Sequence, residues 1–302
     1  MKKTIALLAA LVMGATLFAG CGGSTAATSE APASSAPAAS SEAASEAAPA
    51  GDASSQAASE AAPAGDAALP ETFILGLDAS FPPMGFTDEN NEIIGVDIDL
   101  AKAVCEKLGM TFEAKPIDWD AKDMELSTGK ITCIWNGLTI TDERVETYEM
   151  SRPYMKNEQV IVVMNGSDIA SKADLAGKIV AAQKDSSGLE ALMADEICAS
   201  IQDGTPKEYA DYVTAMGDLE LGRCDAIVMD SIVADYYITA NQKDMKVLED
   251  KMAAEEYGIG FKKGDTALME AVENALSELA ADGTVAEISQ KWFGREDMII
   301  TY

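Results

Sequence analysis

The segment Ile131-Thr-Cys-Ile-Trp-Asn-Gly-Leu-Thr-Ile-Thr-Asp-Glu-Arg144 reads as an apolar strand, a polar loop and a helix start, with Arg144 in the first helical turn. Asp142 and Glu143 suit the positive end of a helix dipole, whereas a fixed cation there does not, so Arg144 asks for a reason. One reason is a solvated side chain. The other is a carboxylate-bearing partner held by the planar guanidinium, with Asn136, Thr139 and free backbone N–H groups beside it.

A second polar constellation, Gln183-Lys-Asp-Ser-Ser-Gly-Leu-Glu190, places Ser187 three residues before Glu190, the pattern of a capped helix start directly after a strand. Two such helix N-termini, rich in hydroxyls and N–H donors, would make an anion-friendly cleft if two lobes brought them face to face. The chain has no histidine, which removes Ser-His-Asp and Cys-His catalysis and His-ligated zinc. Cys105, Cys133, Cys198 and Cys224 show no metal-ligand spacing, so the sequence predicts neither a metal site nor a cofactor, and it assigns no disulfide pairing.

The elements that must hold these residues alternate between strand and helix. Phe73–Leu77, Thr111–Lys115 and Ile131–Trp135 read as strands, with a helix over Ile98–Leu108 and an amphipathic stretch over Ala121–Ser127. In that first helix Leu100, Val104 and Leu108 share one face, Lys102 and Glu106 the other, and Gly109 supplies the stop. A second series runs from Gln159–Met164 through Lys178–Ala182, a helix over Leu189–Ile201, Cys224–Met229 and Ser231–Thr239. Two sheets fit this better than one. Tyr257–Phe261 and terminal helices over Thr266–Ala281 and Thr284–Trp292 follow.

Before all this, Lys2 and Lys3 precede an uncharged run from Thr4 to Gly20, a secretion signal rather than a membrane span. The run ends Leu17-Phe-Ala-Gly-Cys21, which resembles the lipobox at which bacterial lipoproteins are cleaved and diacylated on cysteine, although Phe18 replaces the usual leucine. From Gly22 to Ala68 the chain is nearly all Ala, Ser, Glu, Pro, Gly, Asp, Thr and Gln, a linker with nothing to build a core from. Ten residues, Ala44 to Ala53, recur unchanged as Ala58 to Ala67, marking an expanded spacer of roughly 40 Å mean reach. With 51 acidic against 22 basic residues and a formal charge of −29, nucleic acid is excluded as a partner.

The order of segments resembles the extracytoplasmic solute-binding proteins of amino-acid ABC importers, family 3. The resemblance rests on Leu77-Asp-Ala-Ser-Phe-Pro-Pro-Met-Gly-Phe86, Gly95-Val-Asp-Ile-Asp-Leu-Ala-Lys102, Asn136-Gly-Leu-Thr-Ile-Thr-Asp-Glu-Arg144, Ser151-Arg-Pro-Tyr154, Asp174-Leu-Ala-Gly-Lys178, Gly222-Arg-Cys-Asp-Ala-Ile-Val-Met-Asp230, Tyr257-Gly-Ile-Gly-Phe-Lys-Lys-Gly264, and Ala281-Asp-Gly-Thr284 with Lys291-Trp-Phe-Gly294. It implies an α/β, two-lobed periplasmic-binding-protein fold, each lobe a mostly parallel sheet flanked by helices, with two crossover strands near Asn157 and Glu256. The corresponding spans are a signal peptide over 1–20, the lipidated cysteine and linker over 21–70, lobe 1 over 71–157 plus 257–302, and lobe 2 over 158–256.

The resemblance further implies a receptor rather than an enzyme, anchored by lipid on the outer face of the bacterial cytoplasmic membrane, monomeric, and serving an ABC permease. Arg144 would clamp the α-carboxylate of a free amino acid, helped by Thr139, Ser186 and Ser187, and Asp230 would take the α-ammonium. Asp78, Phe81 and Trp119 would line the side-chain pocket, with Asn136 and Gly137 adding polar contacts and Asp97 near reach. Set against these roles, Asp230 would also serve as a helix cap, and Phe81, Phe86 and Trp119 as core. A dehydratase-type enzyme on the same fold is the competing class, disfavoured by the missing histidine base. Asp78 with Phe81 and Trp119 suits a polar or basic side chain, and cystine fits the same description. Asp185 stands where many relatives have glycine, either to disfavour acidic ligands or to face solvent.

Overall fold

The structure is a computed structural model describing residues 69–300. The expected signal peptide, Cys21 and nearly all of the linker lie outside the described residues. The chain begins with β1 (Thr72–Leu77), β2 (Ser80–Phe81), β3 (Gly85–Thr87), β4 (Ile93–Ile94), α1 (Val96–Leu108), β5 (Thr111–Pro116), α2 (Lys122–Ser127), β6 (Cys133–Thr139), α3 (Asp142–Thr147) and β7 (Tyr148–Met150). It continues through β8 (Met155–Met164), β9 (Val180–Gln183), α4 (Ser187–Ala194), β10 (Lys207–Tyr209), α5 (Tyr212–Glu220), β11 (Ala226–Asp230) and α6 (Ser231–Thr239). The long β12 (Met245–Lys262) then leads to α7 (Thr266–Ala281) and α8 (Thr284–Phe293).

Helix α1 forms for the reasons its sequence gives. Asp97 and Asp99 occupy its first turn, Leu100 and Val104 are buried, and Gly109 closes it in the left-handed conformation at φ 69°. Asp99 also ties α1 to α8, since Trp292 Nε1 of α8 donates to its Oδ2 at 2.7 Å.

The main sheet runs in the order β10-β9-β11-β8-β12-β6-β1-β5, with β7 also on β12. Pairings within β10-β9-β11 and β6-β1-β5 are parallel, as βα alternation requires, and helices cover the faces. The two lobes do not have separate hydrogen-bonded sheets as expected. Strand β12 joins them, pairing β8 from Met245 to Tyr257 and β6 from Tyr257 to Phe261. Between Glu249 and Glu256 β12 carries Glu249, Asp250, Lys251, Glu255 and Glu256, a charge density that hides a strand from pattern reading.

Three further local expectations are corrected. Asn136 to Thr139 is not a loop but the second half of β6, because Leu138 and Thr139 pair with Gly258 and Tyr257 more than a hundred residues away. The helix expected over Leu189–Ile201 ends at Ala194, where Asp195 turns extended and its side chain caps a new short turn at Ile197 N. The cap of α4 is Ser186 rather than Ser187, its Oγ accepting from Leu189 N at 3.1 Å. That shift frees the Ser187 hydroxyl for other partners.

Candidate ligand-binding site

All ten residues expected to bind ligand, Asp78, Phe81, Trp119, Asn136, Gly137, Thr139, Arg144, Ser186, Ser187 and Asp230, line one cavity together with Gln183. The space they enclose, counted together with its open mouth, is about 290 Å³.

Arg144 is the third residue of a six-residue helix, and its own N–H is taken by the Thr141 cap at 3.2 Å. In so short a helix the dipole argument that singled it out loses force. Burial marks it instead: the residue is 6 % exposed, and removal from water lowers the pKa of the guanidinium. Nη1 donates to Thr139 O at 2.9 Å, while the nearest carboxylate oxygen, on Glu190, lies 4.0 Å from Nη2. The fork is therefore aimed and held by backbone, with its charge still to be matched.

Asp230 ends β11 and occupies the N-cap position of α6, yet its side chain caps nothing. Oδ1 instead accepts from Asn157 Nδ2 at 2.7 Å and from Tyr257 OH at 2.6 Å. The helix-cap alternative for this residue is thereby removed. Burial, and after it the charge of Glu255, push the Asp230 carboxyl up to about 8.

At the other end of the cavity Asp78 follows β1. Oδ1 accepts from Ser80 N at 2.9 Å and Ser80 Oγ at 2.5 Å, and Oδ2 accepts from Gln183 Nε2 at 2.7 Å. Burial raises its pKa, with the hydrogen bonds from Ser80 and Gln183 opposing. Asn136 Oδ1 accepts from Asp78 N at 2.9 Å and so fixes the start of the loop. Phe81 lines the cavity and sets its ring 6.1 Å from that of Tyr212, a buried residue from an element far away in sequence that is not itself in the lining. Trp135, fully buried, and Phe86, packed on Tyr236 and Trp292, are absent from the lining.

The lobes meet across the cavity through specific polar contacts. Thr139 Oγ1 and Ser187 Oγ lie 3.0 Å apart, the latter also accepting from its neighbour Gln159 Nε2, on the same side of the cavity, at 3.2 Å. Trp119 Nε1 and Lys122 Nζ both donate to Asp185 O, at 3.2 and 3.4 Å. Asp185 has φ 54°, which explains why a glycine would be at ease at this position, and its side chain is exposed at the mouth.

Gly137, also in a left-handed conformation at φ 61°, donates its N–H to Asp97 Oδ2 at 2.8 Å. Asp97 does not reach the cavity. It is fully buried behind it, beside Tyr154 and Trp135, and burial lifts its carboxyl to about 7. Gln183 escaped sequence reading, although a polar residue closing a strand just before the Ser186–Ser187 pair was a usable signal. Lys122 and Asn157 had no such signal, since each acts through a partner more than sixty residues away. Cys105, Cys133, Cys198 and Cys224 are free thiols. Among the described residues no acidic, histidine or cysteine cluster would hold a metal, and no helix is long and apolar enough to cross a membrane.

Residues 73–295 match the family described as bacterial extracellular solute-binding proteins, family 3. The L-cystine-binding protein TcyJ of Escherichia coli (strain K12) is 30 % identical over 227 residues, covering 74 % of this chain and 84 % of that protein. An ABC uptake transporter substrate-binding protein from Streptococcus pneumoniae, solved with bound histidine, superposes with a TM-score of 0.73 at 39 % identity, over 75 % of this chain and 94 % of that one. An ancestral arginine-binding protein bound to glutamine gives 0.70 at 39 % identity, over 76 % and 100 %. The family and these relatives are substrate-binding proteins, not enzymes.

Proposed function

We propose that this chain, which belongs to family 3 of the bacterial extracellular solute-binding proteins, is the lipid-anchored receptor of an amino-acid ABC importer and binds a free polar or basic L-amino acid between its lobes. The observation that carries the reading is one cavity with a buried guanidinium at one point and two buried carboxylates, Asp230 and Asp78, at others. A zwitterion needs a cation and a carboxyl that can become its anion, each already buried and hydrogen-bonded, and Arg144 and Asp230 meet that description. Asp78 is then left for the ligand's side chain, with Phe81 and Trp119 as its walls, an arrangement suited to a cationic or hydrogen-bond-donating end.

The lobe boundaries are 71–157 plus 257–302 and 158–256, so that β8 and β12 are the crossovers and their bending opens the cleft. Ligand entering the open form gains the contacts of the second lobe only on closure, and a permease reads the closed shape. Cys21, diacylated, holds the monomer on the outer face of the cytoplasmic membrane through the 21–70 linker. Cystine is the second reading for the ligand, favoured by the cystine-binding relative.

A thermal-shift screen of the twenty amino acids, ornithine and cystine tests the ligand class, because only a ligand of the folded state raises the melting temperature. No rise with any of them removes the proposal. Intact-mass analysis of membrane-extracted protein tests the anchor, which a free Cys21 thiol would exclude.

A further inference from the structure

Asn157 and Gln159 lie two apart on β8, on one face of the sheet, with β11 on one side of that strand and β12 on the other. In this position one amide nitrogen, Asn157 Nδ2, donates to Asp230 Oδ1 at 2.7 Å and to Glu255 Oε1 at 2.6 Å. The two carboxylate oxygens therefore lie no further apart than the sum of those lengths. Gln159 Nε2 adds a bond to the same Glu255 oxygen at 2.9 Å. Among the described residues neither carboxylate has an ion-pair partner within 4.0 Å.

Two carboxylates drawn together by one shared donor, one of them fully buried, do not both ionise readily without a cation between them. The titratable groups facing Asp230 are Glu255 and Tyr257 from β12, Tyr212 from α5 and Arg144 from α3. Both tyrosines have raised pKa values and stay neutral, and Arg144 is already bonded to Thr139 O. On its open side Glu255 shares a second cavity with Lys156, Glu158, Asp235 and Glu256, so its charge has a route to solvent through the crossover region.

Resting on the amino-acid reading above, we propose that Glu255 completes the ammonium site: held against Asp230 by Asn157, it favours a proton on the Asp230 carboxyl in the empty cleft, which the ligand's ammonium group displaces to solvent. Glu255 lies outside the lining of the ligand cavity and acts through Asp230 and Asn157, which makes it a positioning residue. The Asp230 value near 8 agrees with a carboxyl that is protonated at neutral pH until a cation arrives.

The test is calorimetric titration at pH 7 in buffers of different ionisation enthalpy, using whichever of L-arginine, L-lysine, L-glutamine, L-histidine and L-cystine binds, corrected for the ligand's own titration. The wild type is expected to release more than half a proton per ligand and to bind up to about tenfold tighter per pH unit between pH 6 and 7.5. Glu255→Gln is expected to cut the release at least by half, and Asp230→Asn to abolish it in whatever binding remains. Wild-type release below half a proton, or an undiminished release in a folded Glu255→Gln protein, overturns the proposal while leaving amino-acid binding intact. Failure of the wild type to bind any of the five overturns the amino-acid reading, and this proposal with it. The wild-type arm decides even if the variant does not fold.

Discussion

The Arg144 guanidinium and the Asp230 carboxyl line the same cavity without forming an ion pair with each other. Each is more than nine-tenths buried and each is oriented by the protein, Arg144 by Thr139 O and Asp230 by Asn157 and Tyr257. A guanidinium and a carboxyl held apart at one cavity are preorganised for a ligand that carries both complements.

Arg144→Ala is expected to weaken amino-acid binding by about 2–5 kcal/mol, thirtyfold to several thousandfold, since the ligand carboxylate would be buried unpaired. The melting temperature of the empty protein should stay close to wild type, because Arg144 has no close carboxylate partner to orphan. Calorimetry and thermal melts on the same preparation check both halves; wild-type affinity would refute the assignment.

Trp119→Phe keeps a wall of the pocket but removes the Nε1 donor to Asp185 O, a contact between lobes. Loss of one such hydrogen bond should cost about 0.5–1.5 kcal/mol, appearing as a two- to tenfold faster ligand dissociation with a smaller change in association. Stopped-flow tryptophan or ligand fluorescence measures the two rates. An unaltered dissociation rate would show that this bond does not contribute to closure.

Gly137→Ala should destabilise the fold by about 1–2 kcal/mol and weaken binding as well. The residue has φ 61°, and an added Cβ would sit 3.0 Å from Phe81 Cε1 and 3.1 Å from Tyr257 Cε2. Phe81 walls the cavity and Tyr257 holds Asp230, so the strain falls on two binding elements at once. Denaturant melts and a ligand titration should move together; a shift in stability alone would separate Gly137 from the site.

Asp97→Asn is expected to stabilise the protein in a pH-dependent way. Burial raises the folded-state pKa to about 7, above the unfolded carboxyl near 3.9, so the folded state binds the extra proton. The wild type therefore loses stability as pH rises from about 4 to about 7, and the neutral variant does not lose that share. The difference in melting temperature between variant and wild type should be largest at pH 8 and close to its minimum at pH 4. A constant difference across that range would contradict a buried, proton-binding Asp97.

The sequence by itself was enough to define the βα alternation, the cap and stop of α1, the order of segments and the residue types a zwitterion needs, because these depend on local periodicity and side-chain chemistry. It also pointed to Arg144, although through a helix-dipole argument that a six-residue helix cannot sustain. Tertiary structure decided what depends on partners remote in the chain. It extended β6 as far as Thr139 by pairing Leu138 and Thr139 to β12, and it turned the charged stretch of β12 into the strand that joins the lobes. It withdrew Asp97 from the cavity, brought in Gln183, and took Asp230 from helix capping to the reach of Asn157, Tyr257 and Glu255. The physical reason is common to all of these: burial and long-range hydrogen bonds set which face of a polar residue is used, and neither is written in the spacing of neighbours.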